Sequence, residues 1–293
     1  MEKIQHAIAR ARAARESAAR ETAREGGRAP GPVAGSASGP VSGPPAARHA
    51  LAWERMQAFV PDPQALLRAR VLTLTGGTAA LRGRSHEAAA FDVLRTKTLQ
   101  TMRANGWKRL AITSPTPGCG KSTITLNLAF SLARQPEVKT IVAELDLRRP
   151  SLARILDQTP EAGFADVLQG HVDFPQQALR YGPNLAISAN PATVHNPAEL
   201  LQGAGIAARL AEIEAQLSPD LMIFDMPPML VSDDMMAFAR HVDCVLLVAA
   251  AEATTLREID FCERELAAQT NVMGVVLNKC HHMGRERSYG YYN

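Results

Sequence analysis

The stretch Thr113-Ser114-Pro115-Thr116-Pro117-Gly118-Cys119-Gly120-Lys121-Ser122-Thr123 constrains this chain more than any other. The apolar run Leu110-Ala111-Ile112 before it reads as the middle of a buried strand from Lys108 to Thr113, and the run Ile124 to Ala133 after it reads as part of a helix from Lys121 to Arg134. Strand, glycine-containing turn, Gly-Lys-Ser and helix form the context of a phosphate-binding loop. In that context the loop and the first helical turn aim main-chain N–H groups at one spot, and the helix dipole favours an anion there. Gly118 and Gly120 allow close backbone approach, Lys121 supplies a point charge for β- and γ-phosphates, and the Ser122 hydroxyl suits Mg²⁺. Pro117, Cys119 and Thr123 complete the residues expected around the phosphates. Pro115 stands where the strict G-x-x-x-x-G-K-[ST] pattern has its first Gly. The alternative is an ordinary strand-to-helix turn whose Ser caps the helix.

Other apolar runs read as strands: Thr140 to Leu145, Asn184 to Ser188, Leu221 to Phe224, Cys244 to Ala249 and Val272 to Leu277, with a short edge strand at Val71-Leu72-Thr73-Leu74. Helices are predicted from Ser85 to about Ala104, from Ala198 to Leu217 with a break near Gly203 and Gly205, and from Thr255 to Ala268. Alternating strands and helices imply an α/β fold, a mostly parallel sheet with helices on both faces. Such sheets bind ligands at the carboxyl ends of their strands. The phosphate loop, Asp146 and Asp225 all fall at such ends. Asp225 closes an apolar strand and is a candidate Mg²⁺ ligand beside Ser122; Asp146 is a second. Glu144, two residues before Asp146, shares its side of an extended strand. One of the pair could hold metal while the other accepts the proton of an attacking hydroxyl, so Lys121, Glu144, Asp146 and Asp225 are the candidate catalytic residues.

The 293 residues allow one or two domains. A formal net charge of +3 gives no reason to expect nucleic-acid binding. The four cysteines show no zinc-ligand spacing, which points to reduced thiols in a cytoplasmic protein. Cys280-His281-His282 lacks a fourth ligand. Cys119, at a helix start, is either redox-sensitive or a tolerated small residue. The longest apolar run, Cys244 to Ala251, is too short to span a bilayer, and residues near the N-terminus show no apolar signal-peptide core. Residues 1–25 read as an Arg/Ala-rich helix, either docking on a partner or anionic surface or simply solvated. Residues 26–49 read as a flexible Pro/Gly linker, 50–84 as a connecting segment with short helical pieces, 85–280 as the nucleotide domain and 281–293 as a flexible tail.

Several stretches resemble the bacterial tyrosine kinase family. The loop at 113–122, Glu144-Leu145-Asp146-Leu147-Arg148-Arg149-Pro150, Phe224-Asp225-Met226-Pro227-Pro228, Gly274-Val275-Val276-Leu277-Asn278 and Leu94-Arg95-Thr96 carry the likeness, which covers roughly residues 86–292. It implies a Walker-type, MinD/ParA-like P-loop NTPase fold, ATP and Mg²⁺ as cofactors, and Asn278 near the adenine. Arg148 is then a candidate for phosphate or a neighbouring subunit. Three of the four tyrosines, Tyr289, Tyr291 and Tyr292, lie in the last five residues and resemble the family's tail, phosphorylated by a neighbouring copy. The resemblance further implies homo-oligomers, a role in exopolysaccharide or capsule synthesis, and a separate membrane-anchored activator that recruits the chain to the inner face of the plasma membrane. Partitioning and cell-division-site ATPases of the same fold carry a Lys early in the loop, where this chain has Thr116. Three motifs depart from the kinase pattern: Glu144 replaces Asp, Met226 replaces Thr, and Ala89 and Asp92 replace the Glu and Arg of the assembly helix, where only Arg95 matches. These departures motivate the alternative of a regulatory ATPase without kinase activity.

Overall fold

The computed structural model describes residues 45–72 and 85–280. Helix α1 (Pro45–Glu54) leads to the two-residue strand β1 (Gln57–Ala58) and helix α2 (Pro63–Arg68), which Asp62 caps through the N–H groups of Gln64 and Ala65. Helix α3 (Ser85–Asn105), strand β2 (Arg109–Thr113), helix α4 (Lys121–Ala133) and strand β3 (Thr140–Glu144) follow. Three short helices, α5 (Leu152–Ile155), α6 (Phe164–Gln169) and α7 (Phe174–Gln177), precede strands β4 (Leu179–Tyr181) and β5 (Leu185–Ser188). Helices α8 (Pro197–Gln202) and α9 (Ile206–Leu217) flank the expected glycine break. Strand β6 (Leu221–Asp225), helix α10 (Asp234–Phe238), strand β7 (Cys244–Ala250), helix α11 (Leu256–Ala267) and strand β8 (Asn271–Asn278) complete the domain.

The strands form one sheet in the order β1-β4-β5-β3-β6-β2-β7-β8. Strands β5 to β8 along this order run parallel, while β4 pairs antiparallel with β5 and carries β1 with it. Side chains alternate between the two faces, as pleated strands require. Leu110 and Ile112 of β2, with Leu221 and Ile223 of β6, join the core beneath α3 and α4. Ala111, Met222 and Phe224 join the opposite core with α6, α9 and α10. Register then places the site. Ile112 pairs with Asp225, and Asp225 with Glu144, so β2, β6 and β3 end together.

Residues 50–72 of the expected connecting segment are packed into this domain. Trp53 is buried and its indole N–H donates to the Leu217 carbonyl at 2.8 Å, tying α1 to α9. Phe59, Leu66 and Val71 enter the core on the α4 side. Val71 and Leu72 are not in a strand; the rest of that expected strand lies outside the described residues, as do the expected helix and linker before residue 45 and the tail after 280. The edge is instead closed by β1 and β4, with Tyr181 set edge-on against Phe130 at 5.0 Å.

Candidate functional site

The loop between β2 and α4 is stitched to the segment after β6. Thr113 Oγ1 donates to the Pro227 carbonyl, while Met229 N and Leu230 N donate to the carbonyls of Ser114 and Pro115. The Ser114 hydroxyl closes the turn on the Thr116 carbonyl. Gly118 (φ 80°) and Gly120 (φ 92°) lie in the left-handed region that glycine enters without a side-chain clash. At Gly120 a Cβ would also sit 2.3 Å from Asn278 Nδ2. That amide, at the end of β8, donates to the Cys119 carbonyl at 2.8 Å. Asn278 therefore braces the loop from behind.

A cleft of about 980 Å³ opens over the loop, lined by Pro117, Gly118, Gly120, Lys121, Ser122, Thr123, Asp146 and Arg148. Arg70, Arg149, Arg154 and Lys279 add positive charge to its walls, and Ser151 lies beside Ser122. One carboxylate, Asp146, faces six basic side chains there, a balance that favours a polyanion.

Lys121 Nζ donates to Asp146 Oδ2 at 2.7 Å, and Arg149 N donates to Asp146 Oδ1 at 3.1 Å. Burial opposes the charged ammonium, but the Asp225 and Asp146 carboxylates outweigh it and hold the Lys121 pKa above its usual value. Asp225 lies beneath the loop with no exposed surface. Burial pushes its pKa up to about 6, against the opposing pull of Lys121 and the nearby Ser122 hydroxyl, with Asp146 adding to the rise. Asp225 Oδ1 accepts from Thr125 Oγ1 at 3.3 Å, whereas Oδ2 is buried without a hydrogen-bond partner among the described residues. A desolvated carboxylate oxygen without a hydrogen bond, at the foot of a phosphate loop, suits a cation. Ser122, Asp146 and Asp225 fit a Mg²⁺ ion, which takes one or two carboxylates and completes its shell with phosphate oxygens and water. The glycine-dependent cradle and the basic walls fit the triphosphate.

Glu144 departs from its expected place. It has no exposed surface and does not line the cleft. Its Oε1 accepts the N–H groups of Ser151 and Leu152, and its Oε2 accepts that of Asn190 at 2.9 Å. Burial raises its pKa to about 7, opposed by those three main-chain donors. The side chain thus holds the start of α5, where Ser151 Oγ donates to Ser122 Oγ at 3.2 Å. Glu144→Ala would strand three main-chain donors, two of them buried, and is expected to destabilise the fold by about 3 kcal/mol, read by urea unfolding; an unchanged midpoint would contradict this role.

Arg148 is also engaged within the chain. Its guanidinium makes a two-point contact with buried Asp234, Nε to Oδ2 at 2.8 Å and an Nη to Oδ1 at 3.0 Å. The Cys119 thiol is buried between the Thr116 and Thr254 hydroxyls, which outweigh burial and lower its pKa. On α3, Arg95 donates to the Ser131 hydroxyl and carbonyl, and Asp92 accepts from the Ser131 hydroxyl and pairs with Arg134, so Asp92 and Arg95 both turn toward α4. Ser151, Asn190 and Asp234 carried no sequence signal, because each is defined by a partner more than five residues away. Tyr289, Tyr291 and Tyr292 lie outside the described residues. Among the described residues, no helix is long and apolar enough to cross a membrane.

Comparison with known proteins agrees with this architecture. EpsB of Ralstonia nicotianae, named a putative tyrosine-protein kinase, is 32% identical over 63% of this chain and 24% of its own length. The chain thus spans about a quarter of that relative. CapB of Staphylococcus aureus, likewise named, is 28% identical over 69% of this chain and 88% of its own. The crystal structure of the VpsO kinase domain superposes with a TM-score of 0.60 at 28% identity, covering 68% of this chain and 97% of that one. The resemblance to bacterial tyrosine kinases is thereby borne out in named relatives. A model of the ParA family, described as NUBPL iron-transfer P-loop NTPase, matches residues 107–289. With the loop, the strand-end acids and the parallel sheet in place, this chain belongs to the ParA family of P-loop NTPases.

Proposed function

We propose that the chain is an ATP- and Mg²⁺-dependent protein-tyrosine kinase that phosphorylates Tyr289, Tyr291 and Tyr292 of a neighbouring copy. The observation that carries the reading is the unpartnered buried oxygen of Asp225 behind the Lys121–Asp146 pair, under a basic cleft. The names of its relatives select a tyrosine hydroxyl as acceptor. Pro117 to Thr123 would cradle the phosphates. Ser122, Asp146 and Asp225 would hold Mg²⁺, whose chemistry is to neutralise charge on the β- and γ-phosphate oxygens. Lys121 would turn from Asp146 to the phosphates, leaving an Asp146 oxygen to accept the proton of the tyrosine hydroxyl. The γ-phosphoryl passes to the phenolic oxygen and ADP departs. Glu144 is a positioning residue here, acting through α5. In the cell the chain would be cytoplasmic, recruited to the inner face of the plasma membrane by an anchored partner of exopolysaccharide or capsule export.

A second reading, a nucleotide-dependent switch without kinase activity, is favoured by the buried Met226, which offers no hydroxyl near the metal position, and by the inward-facing Asp92 and Arg95. Incubation with ATP and Mg²⁺, followed by mass spectrometry of the tail peptide, separates the two. Phosphate on any of the three tyrosines is the expected outcome. ATP turnover with an unmodified tail would exclude the kinase and leave the switch.

A further inference from the structure

We infer that Arg70 is a phosphate-binding residue of the nucleotide site, delivered to the cleft by the segment that precedes the ATPase motifs. This rests on the nucleotide reading above. Arg70 lies outside every stretch that carries the family likeness, yet it lines the same cleft as Lys121, Ser122 and Thr123. Its side chain is exposed and makes no hydrogen bond or ion pair with another described residue.

The local backbone explains how it is held. Helix α2 ends with Val71 N donating to the Leu66 carbonyl at 2.8 Å and Arg70 N to the Leu67 carbonyl at 3.1 Å. This pair of bonds, nested one inside the other, is the helix stop that places its penultimate residue in the left-handed region. Glycine is the usual occupant; here it is Arg70, at φ 57°. Leu66 and Val71, on either side of the turn, are both buried in the α4-side core. Asn127 of α4 then fastens the turn to the loop helix. Its Nδ2 donates to the Arg70 carbonyl at 3.0 Å and to the Thr123 carbonyl at 2.8 Å, and its Oδ1 accepts from Leu72 N at 2.8 Å. Asn127 is 2% exposed, so these bonds are sheltered from water. The turn is thus locked one helical turn from the phosphate cradle. A side chain kept where glycine would be less strained, on a turn locked at the wall of a cationic cleft that it lines, has a use for its guanidinium. Arginine offers planar, two-point recognition of phosphate oxygens.

The test is equilibrium binding of ADP and of inorganic pyrophosphate, each competing with a fluorescent ADP analogue, to the full chain and to R70G, R70K and K121M. R70G is expected to weaken ADP and pyrophosphate alike by about 10-fold, the worth of one charge-assisted hydrogen bond. R70K is expected to fall between, keeping charge without the planar fork. Glycine also relieves the left-handed backbone, so nucleotide-free R70G should unfold no lower than the parent, or a few degrees higher. Loss of binding without loss of stability is a pattern that a purely structural arginine does not give. R70G that binds both ligands like the parent, while K121M does not, would overturn the assignment and leave the nucleotide reading intact. Weakened ADP with unchanged pyrophosphate would also overturn it, moving Arg70 to the base or ribose. A folded parent chain that binds neither ligand would remove both readings.

Discussion

Lys121→Met is expected to lower tail phosphorylation by about 10²–10³-fold, the range found when one preorganised charge is removed from a transition state. The magnitude follows from where Lys121 sits. It is the cation that Asp225 and Asp146 both feel, and it is tied to Asp146 at 2.7 Å with little of either side chain exposed. Methionine keeps the apolar stem but leaves two carboxylates without their shared counter-charge. The nucleotide-free variant is therefore expected to lose stability as well, by about 3 kcal/mol if the buried pair is simply broken. Phosphotyrosine on the tail peptide gives the activity and urea unfolding gives the stability. Pairing Lys121→Met with Asp146→Asn should restore part of the stability and none of the activity, because the two residues are coupled. Tail phosphorylation unchanged in a folded Lys121→Met chain would refute the assignment of this loop.

The sequence was legible wherever a signal is local. Leu110 to Ile112, the two loop glycines and Gly120-Lys121-Ser122 lie within thirteen residues, and the strand, turn and helix appear there within one residue of expectation. Asp225 and Asp146 were legible because an acid ending an apolar run marks the sheet's carboxyl edge. Glu144 shows where this stops. Alternation correctly fixes its side of β3, but it cannot say that the N–H groups of Ser151, Leu152 and Asn190 wait there. The Arg148–Asp234 contact was illegible for the same reason, since Asp234 lies 86 residues away. Strands β1 and β4 have two and three residues, too few to show a period of two, and they exist because Phe59 and Tyr181 have a hydrophobic edge to cover. Arg70 needed two facts absent from local sequence, the helix stop and the Asn127 clamp.

Asp225→Asn is expected to separate stability from function in opposite directions. In the nucleotide-free chain Asp225 is an acid whose folded-state pKa is raised to about 6 from an ordinary 3.8, chiefly by burial. An acid shifted this way binds its proton more tightly folded than unfolded. Stability therefore falls as pH rises through the window between those two values, and the full cost is present above pH 6. Asparagine keeps an oxygen for Thr125 Oγ1 and removes the buried charge. The variant should be more stable than the parent at pH 8, by on the order of 2–3 kcal/mol. That advantage should shrink as pH falls and vanish below 3.8, where Asp225 of the parent is protonated in both states. Glu144, whose own pKa is raised to about 7 chiefly by burial and in part by the Asp225 charge, should titrate lower in the variant, which adds to its advantage at high pH. Urea unfolding of the two proteins across this pH range measures the effect directly. Activity should move the other way, with tail phosphorylation reduced by about 10²-fold or more through loss of a metal-holding carboxylate. Added Mg²⁺ and ADP should also raise the unfolding temperature of the variant less than that of the parent. A chain that tolerates a destabilising buried acid at the end of a central strand gains from it only when a cation arrives. An Asp225→Asn protein less stable than the parent at every pH would mean that the carboxylate already has its partner inside the fold, and the metal assignment would fail with it.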